Sequence, residues 1–271
     1  DLAVPVGGGT DADLYQLNSG GAPAGADFIC WSMNPQVHAF DNASLAETPE
    51  AAGQQVTSVA HYFSGTPMVI SPITLKPRFN PVATGPEIRV LSRPLPPAVD
   101  PRQLSLFGAA WTVAMLAALA PSGVESLTFF ETTGWRGVME RAAGSPLPQE
   151  FPSEPGQVFP LWHVFAALRG YRDIAATVAS EPLRVASLAV SDRSGSLRVL
   201  LANLSPDPVS VRLTTIANAS LRVLDARNIV GATQKPEEFW RRTPAPLASA
   251  VELGPHALAF IDSAAPARQL E

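Results

Sequence analysis

Four groups able to hydrogen-bond or carry protons, Asn34, Gln36, His38 and Asp41, crowd into "SMNPQVHAFDNAS" at residues 32–44, directly after the apolar run Phe28–Trp31. Three other apolar runs hand over to polar clusters in the same way. "LAVPV" precedes Thr10, Asp11, Asp13 and Asn18. "PMVISPITL" leads to Thr74, Lys76, Arg78 and Asn80. "SLTFFETTGW" carries Glu131, Thr132, Thr133 and Trp135, with Arg136 next. A carboxyl group after "LTFF", beside aromatic surface, is biased toward the neutral acid and so toward proton transfer. His38 is a second acid–base group, or else a structural histidine capping the helix that follows. Lys76, one of two lysines against 17 arginines, lies two residues before Arg78. The two form either a solvated pair or a cationic clamp for a carboxylate or a developing oxyanion. The expected catalytic set is Glu131, His38 and Lys76. Asp11, Asn18, Asn34, Gln36, Arg78 and Trp135 are expected to hold substrate.

Other chemistries have less support. "GGGTDAD" lacks the spacings of phosphate-binding glycine loops and reads as a loop former. His61, His163 and His256 read as structural. The H-x-H, H-E-x-x-H and G-x-S-x-G patterns do not occur, so neither a metal, a cofactor nor a serine nucleophile is expected.

The elements that must position these groups follow from periodicity. Four strand-then-helix units fill the first two thirds. A helix to about Phe63 carries Ala52, Val56, Val59, Ala60 and Phe63 as its apolar stripe. Ser44 and Glu47 have capping-box spacing, and Thr48-Pro49 is an alternative start. A long apolar helix starts at Asp100-Pro101 with Leu104, Phe107, Trp111 and Met115 on one side, and "PLWHVFAALRGY" is a further helix. After about residue 180, short alternating strands separated by "DRSGS" and "SPDP" turns mark an antiparallel sandwich. The expected fold is α/β plus all-β: the C-terminal half of a (β/α)8 TIM-type barrel over residues 1–177, a β-sandwich over 178–265, and a tail with a tag scar over 266–271. Four units are half a barrel, and an open sheet leaves two edges unpaired. The missing half is therefore expected in cis on a longer chain, on a partner fragment or on a second copy. An α/β sheet closed in some other way is the alternative.

The 271-residue chain has a net charge of −5, which gives no basic face for nucleic acid. Its one cysteine, Cys30, allows no internal disulfide and sits in an expected strand as a small hydrophobe. The Leu104–Ala120 run is Ala-rich and interrupted, a buried helix rather than a membrane span. No signal peptide is visible at the start, so a cytoplasmic protein without membrane partners is expected. The opening Asp1 and closing Leu270-Glu271 suggest a piece of something longer.

In combination, "VPVGGGTDADLYQLN", "SMNPQVHAFDNASLAET", "SPITLKPRFNP", "DPRQLSLFGAAWT" and "FFETTGWRGVM" resemble the D-apionate lactonase family, from the start to about residue 262. That resemblance implies a glycoside-hydrolase-like barrel followed by a β-sandwich, and hydrolysis of a sugar-acid lactone in bacterial carbohydrate catabolism. Family members carry a further N-terminal domain and the first half of the barrel. On this reading water attacks the lactone carbonyl with Glu131 or His38 as base and Lys76, Arg78 or Asn34 as oxyanion donor. Two alternatives stay open. One is a glycoside hydrolase, which needs a second carboxylate such as Asp11, Asp13 or Asp41. The other is a non-catalytic carbohydrate-binding fragment.

Overall fold

The computed structural model describes residues 4–80, 82, 83, 85, 95–214, 216 and 218–264. The expected tag scar, the first two residues of "LAVPV" and most of the Pro-rich loop before Asp100 lie outside them. The chain divides into two compact units, Asp1–Gln103 with Ala118–Gly156, and Leu104–Ala117 with Gln157–Glu271.

The first unit is built on a parallel sheet. Its elements are β1 (Gly7–Gly9), α1 (Leu14–Gly20), β2 (Phe28–Met33), α2 (Asn42–Tyr62), β3 (Met68–Ile73), β4 (Ser126–Phe129), β5 (Glu131–Thr133) and β6 (Gly137–Met139). The order is β1-β2-β3-β4, every neighbouring pair parallel. The described residues of "LAVPV", Val4–Val6, form no strand; among the described residues the first strand is the glycines after them. The reason is close approach: a Cβ on Gly9, at φ 148°, would fall 1.9 Å from the Cys30 carbonyl oxygen. Only glycine fits there.

Side chains alternate along the strands. Ile29 and Trp31 of β2 and Ile70 of β3 are fully buried. Phe28, Cys30, Val69 and Ser71 on the alternate positions are only half-buried. One face of the sheet therefore keeps partial exposure.

α2 begins earlier than either expected start. Asp41 is its N-cap, its carboxylate accepting from the Ser44 amide at 3.0 Å and hydroxyl at 2.8 Å. Pro49 lies inside the helix, where it forgoes one backbone bond. The buried face is Leu45, Ala46, Pro49, Ala52, Val56 and Val59; Ala60, expected on it, is exposed. The single strand expected at "SLTFFETTGW" is two. Phe130 takes a left-handed φ of 54° and breaks the run, and β5 then pairs in parallel with β6. The connecting turn is so tight that a Cβ on Gly137 would lie 2.7 Å from Thr133 backbone atoms.

The second unit contains α3 (Leu106–Leu119) up to Ala117, α4 (Trp162–Leu168), β7 (Asp173–Ala175), β8 (Val185–Ser191), β9 (Leu197–Asn203), β10 (Val209–Val211), β11 (Ala219–Leu224), α5 (Ile229–Gln234), α6 (Pro236–Arg241), β12 (Ala245–Pro246), β13 (Val251–Leu253) and β14 (Leu258–Ser263). α3 is buried all round from Leu106 to Leu116, not on one side as expected. Among the described residues no helix is long and apolar enough to cross a membrane. Six strands form an antiparallel sheet in the order β12-β11-β14-β9-β8-β7, and β10 pairs with β13. A shared core of Val199, Leu201, Val209, Val251, Leu253 and Ile261 joins the two sheets. The helices α5 and α6 are absent from the expected pattern; α6 carries Phe239 and Trp240 against Phe260 of β14, with ring centroids 6.5 and 5.0 Å away.

Candidate functional site

Parallel α/β units present chemistry where strands end and loops begin. At the end of β4, Glu131 stands immediately after the left-handed Phe130. Its setting is not the apolar one expected. Its carboxylate lies 2.6 Å from an Arg136 guanidinium nitrogen, with 40% of the side chain exposed. The β5–β6 turn makes this pair: the Glu131 amide donates to the Arg136 carbonyl at 2.9 Å, returning Arg136 to its own partner. Trp135 is held by its indole N–H on Ser145 Oγ at 3.0 Å and by its ring against Phe151.

Beyond β2, Asn34 Oδ1 accepts from the Gln36 amide at 3.2 Å, a turn closed by its own side chain. Gln36 is buried, and its amide nitrogen donates to the Leu75 carbonyl and, at 2.6 Å, to Asp100 Oδ2. Its oxygen Oε1 is buried without a partner. His38 is exposed on the following bend. Asp41 is the α2 cap; those hydrogen bonds, led by the Ser44 amide, hold its carboxyl below the usual range. Beyond β3, Thr74 donates to the Lys76 carbonyl at 2.7 Å, and Lys76 Nζ donates to the Val99 carbonyl at 3.1 Å. Arg78 is exposed. At β1, Asp13 caps α1 through the Gln16 amide, and Asn18 lies exposed on that helix. Asp11 lines a shallow cavity of about 260 Å³ with Gly7 to Thr10, Phe28, Cys30 and Ser71. Burial raises the Cys30 thiol pKa.

The structure thus links Asn34, Gln36 and Lys76 through residues 99–102, and couples Glu131 to Arg136. Among the described residues no hydrogen bond or ion pair joins Glu131 to His38 or Lys76. Asp100, expected only as a helix start with Pro101, and Arg102, which sequence reasoning did not single out, carry the connection; "DPR" after a Pro-rich loop was the available signal. Burial works against the Asp100 carboxylate, yet hydrogen bonds from the Arg102 side chain and amide and from Gln36 outweigh it and lower its pKa. Glu140, just beyond β6, was missed too. It is buried and accepts from the Arg141 amide and Ser153 hydroxyl. A larger hollow of about 610 Å³ sits at the other ends of the strands, lined by Val4, Pro5, Asp27, Phe28, Pro67, Val69 and Glu125. Apart from Asp27 and Glu125 its lining is apolar. Among the described residues no group of three His, Cys, Asp or Glu could hold a metal ion.

Comparison with known proteins decides the family. The sequence model of "D-apionate lactonase, TIM barrel domain" matches residues 2–173, which is more than half of the chain. The chain belongs to the D-apionate lactonase family. The model of the family's C-terminal immunoglobulin-like domain matches residues 182–261, so a TIM-barrel domain is followed by an Ig-like one. The D-apionate lactonase of Brucella anthropi is 26% identical over 234 residues; the match spans 83% of this chain and 36% of that protein. The chain is thus much shorter than this curated relative of its family. Solved structures agree on the fold. The GH51 arabinofuranosidase of Xanthomonas axonopodis pv. citri is similar with a TM-score of 0.55 at 14% identity, over 94% of this chain and 57% of that one. A GH39 β-xylosidase of Caulobacter crescentus gives 0.51 at 15%, over 98% and 58%.

Proposed function

We propose that this chain takes part in opening a sugar-acid lactone, the lactone of D-apionate being the first candidate. The observation that supports this best is the family match to both of its domains, in order, along the chain. In the reaction, a water oxygen adds to the lactone carbonyl carbon while a general base takes its proton. The carbonyl π electrons move onto oxygen, forming a tetrahedral oxyanion. Collapse breaks the ring C–O bond, and the departing oxygen receives the proton from the conjugate acid of the base. One lactone and one water give one hydroxy acid.

Glu131 is the preferred base, because its carboxylate is half-exposed at a strand end and Arg136, 2.6 Å away, fixes its direction. His38, exposed on the neighbouring loop, is the second choice. Lys76 and Arg78 would supply positive charge to the oxyanion, a contribution of about 3–4 kcal/mol for a well-placed donor. Asp11, Asn18, Asn34 and Trp135 remain the proposed substrate-holding groups. Gln36 would act from behind, since both of its amide hydrogens are already engaged. A closed barrel needs four further parallel strands, which this reading assigns to another polypeptide segment or to a second copy.

The test is turnover by the purified chain of the D-apionate lactone, followed by acid release, alongside a panel of aryl glycosides. Lactone opening without glycoside cleavage is the expected result. Glycoside cleavage without lactone opening would overturn it.

A further inference from the structure

Asp100 uses both carboxylate oxygens in four directions. Oδ1 accepts from the Arg102 amide and from Nε, each at 2.9 Å. Oδ2 accepts from Arg102 Nη2 at 2.7 Å and from Gln36 Nε2 at 2.6 Å. The remaining nitrogen of Arg102 donates to the Phe40 carbonyl at 2.9 Å and to Asn42 Oδ1 at 3.1 Å. The pair of buried Asp100 and half-buried Arg102 therefore grips the loop after β2 at both ends, at Gln36 and at Phe40–Asn42. The residue before it, Val99, holds Lys76 of the loop after β3, and Gln36 reaches the same loop through the Leu75 carbonyl.

An ion pair whose carboxylate is this dry, with Asp100 3% and Arg102 20% exposed, is a poor way to gain stability. Apolar residues of similar size often do as well or better, because two charges must be stripped of water. What such a pair supplies is direction: the guanidinium fork fixes where each partner stands. Its location, behind two adjacent strand-end loops, gives that direction a use.

We infer that Asp100 and Arg102 are positioning residues, which set the loop carrying Asn34 and His38 and the ammonium of Lys76 relative to one another. This rests on the lactone-opening reading only for its kinetic consequence; the mechanical consequence stands apart from it.

The chain offers a built-in reporter, since its two lysines are Lys76 and Lys235. Lys235 is well exposed and serves as internal reference. Competitive acetylation read by mass spectrometry gives the Lys76/Lys235 ratio for the wild-type chain and for Asp100→Asn, Arg102→Lys and a second-unit control, Val251→Ala. In Asp100→Asn the ratio should rise about fivefold, the factor an ordinary hydrogen bond supports, and amide exchange should quicken across residues 34–42. Val251→Ala should lower the melting temperature without moving either readout. The inference is overturned if Asp100→Asn leaves the ratio unchanged, or if Val251→Ala shifts it equally. On the lactone, Asp100→Asn should lower kcat/KM by about tenfold to a hundredfold, with Arg102→Lys in between. Turnover unchanged in Asp100→Asn also overturns it. A wild-type chain without lactone turnover whose Lys76 ratio still responds would refute the activity reading and leave the positioning intact.

Discussion

Replacing Glu131 by Gln separates catalysis from stability, because the structure sets different sizes for the two effects. The Glu131–Arg136 pair is short, at 2.6 Å, but its side chains are 40% and 31% exposed. Solvent screening holds such a pair to roughly 0.2–1 kcal/mol. A unit of this size loses about 2–4 °C per kcal/mol, so the melting temperature should fall by no more than about 4 °C. A positioned general base, by contrast, contributes about 10²–10⁴ in rate, equivalent to roughly 3–5 kcal/mol of barrier. Thermal denaturation by circular dichroism and initial rates of lactone opening, on the same preparation, give the two numbers. Arg136→Gln is the companion: it removes the same ion pair but leaves the carboxylate, so it should retain much more activity than Glu131→Gln. Glu131→Gln activity within about threefold of wild type would refute the assignment of the base. A melting loss above about 10 °C would show a structural role the exposed pair does not suggest.

Other expectations follow from the packing. Burial depresses His163 from 6.5 to about 4, so between these values the unfolded chain takes up a proton that the folded one refuses. The stability it carries is complete above pH 6.5 and lost as the pH falls toward 4, about 3 kcal/mol in all. In chemical denaturation at pH 7 and pH 4, His163→Phe should lack that loss relative to wild type, and an equal loss in both contradicts it. Gly9→Ala should detach β1, since its Cβ meets the Cys30 carbonyl oxygen at 1.9 Å. A denaturation midpoint equal to wild type would be inconsistent with that contact. Phe260→Ala, which empties a site only 1% exposed, should cost about 3–5 kcal/mol by the same method; a cost under about 1 kcal/mol would mean the aromatic cluster on α6 repacks.

Periodicity carried much of this fold into view. Three apolar runs at Phe28, Met68 and Ser126, each followed by polar residues, announced parallel strands, and the turn-separated short strands after residue 180 announced the sandwich. What periodicity could not show was contact at close range. The β1 strand hid in three glycines, because the need for glycine arises from the Cys30 carbonyl across the sheet. The helices α5 and α6 hid because each is six residues long, too short for a helical stripe to repeat. The site was legible as positions rather than as partners. Asn34, Lys76 and Glu131 do lie at strand ends, but that Glu131 meets Arg136 depends on the turn at Gly137. Nor does local sequence reveal that Asp100 reaches back 64 residues to Gln36. Asp41, picked out for its chemistry, is a helix cap, a role that any aspartate before a helix can fill.

The C-terminal ends of β2, β3 and β4 are proposed to form the ligand-binding mouth. Titration of the isotopically labelled chain with D-apionate, the product acid, tests this most directly by nuclear magnetic resonance. Saturable shifts should centre on Asn34, His38, Lys76 and Glu131. Shifts centred instead on Asp27, Val69 and Glu125, in the larger hollow at the opposite strand ends, would contradict it.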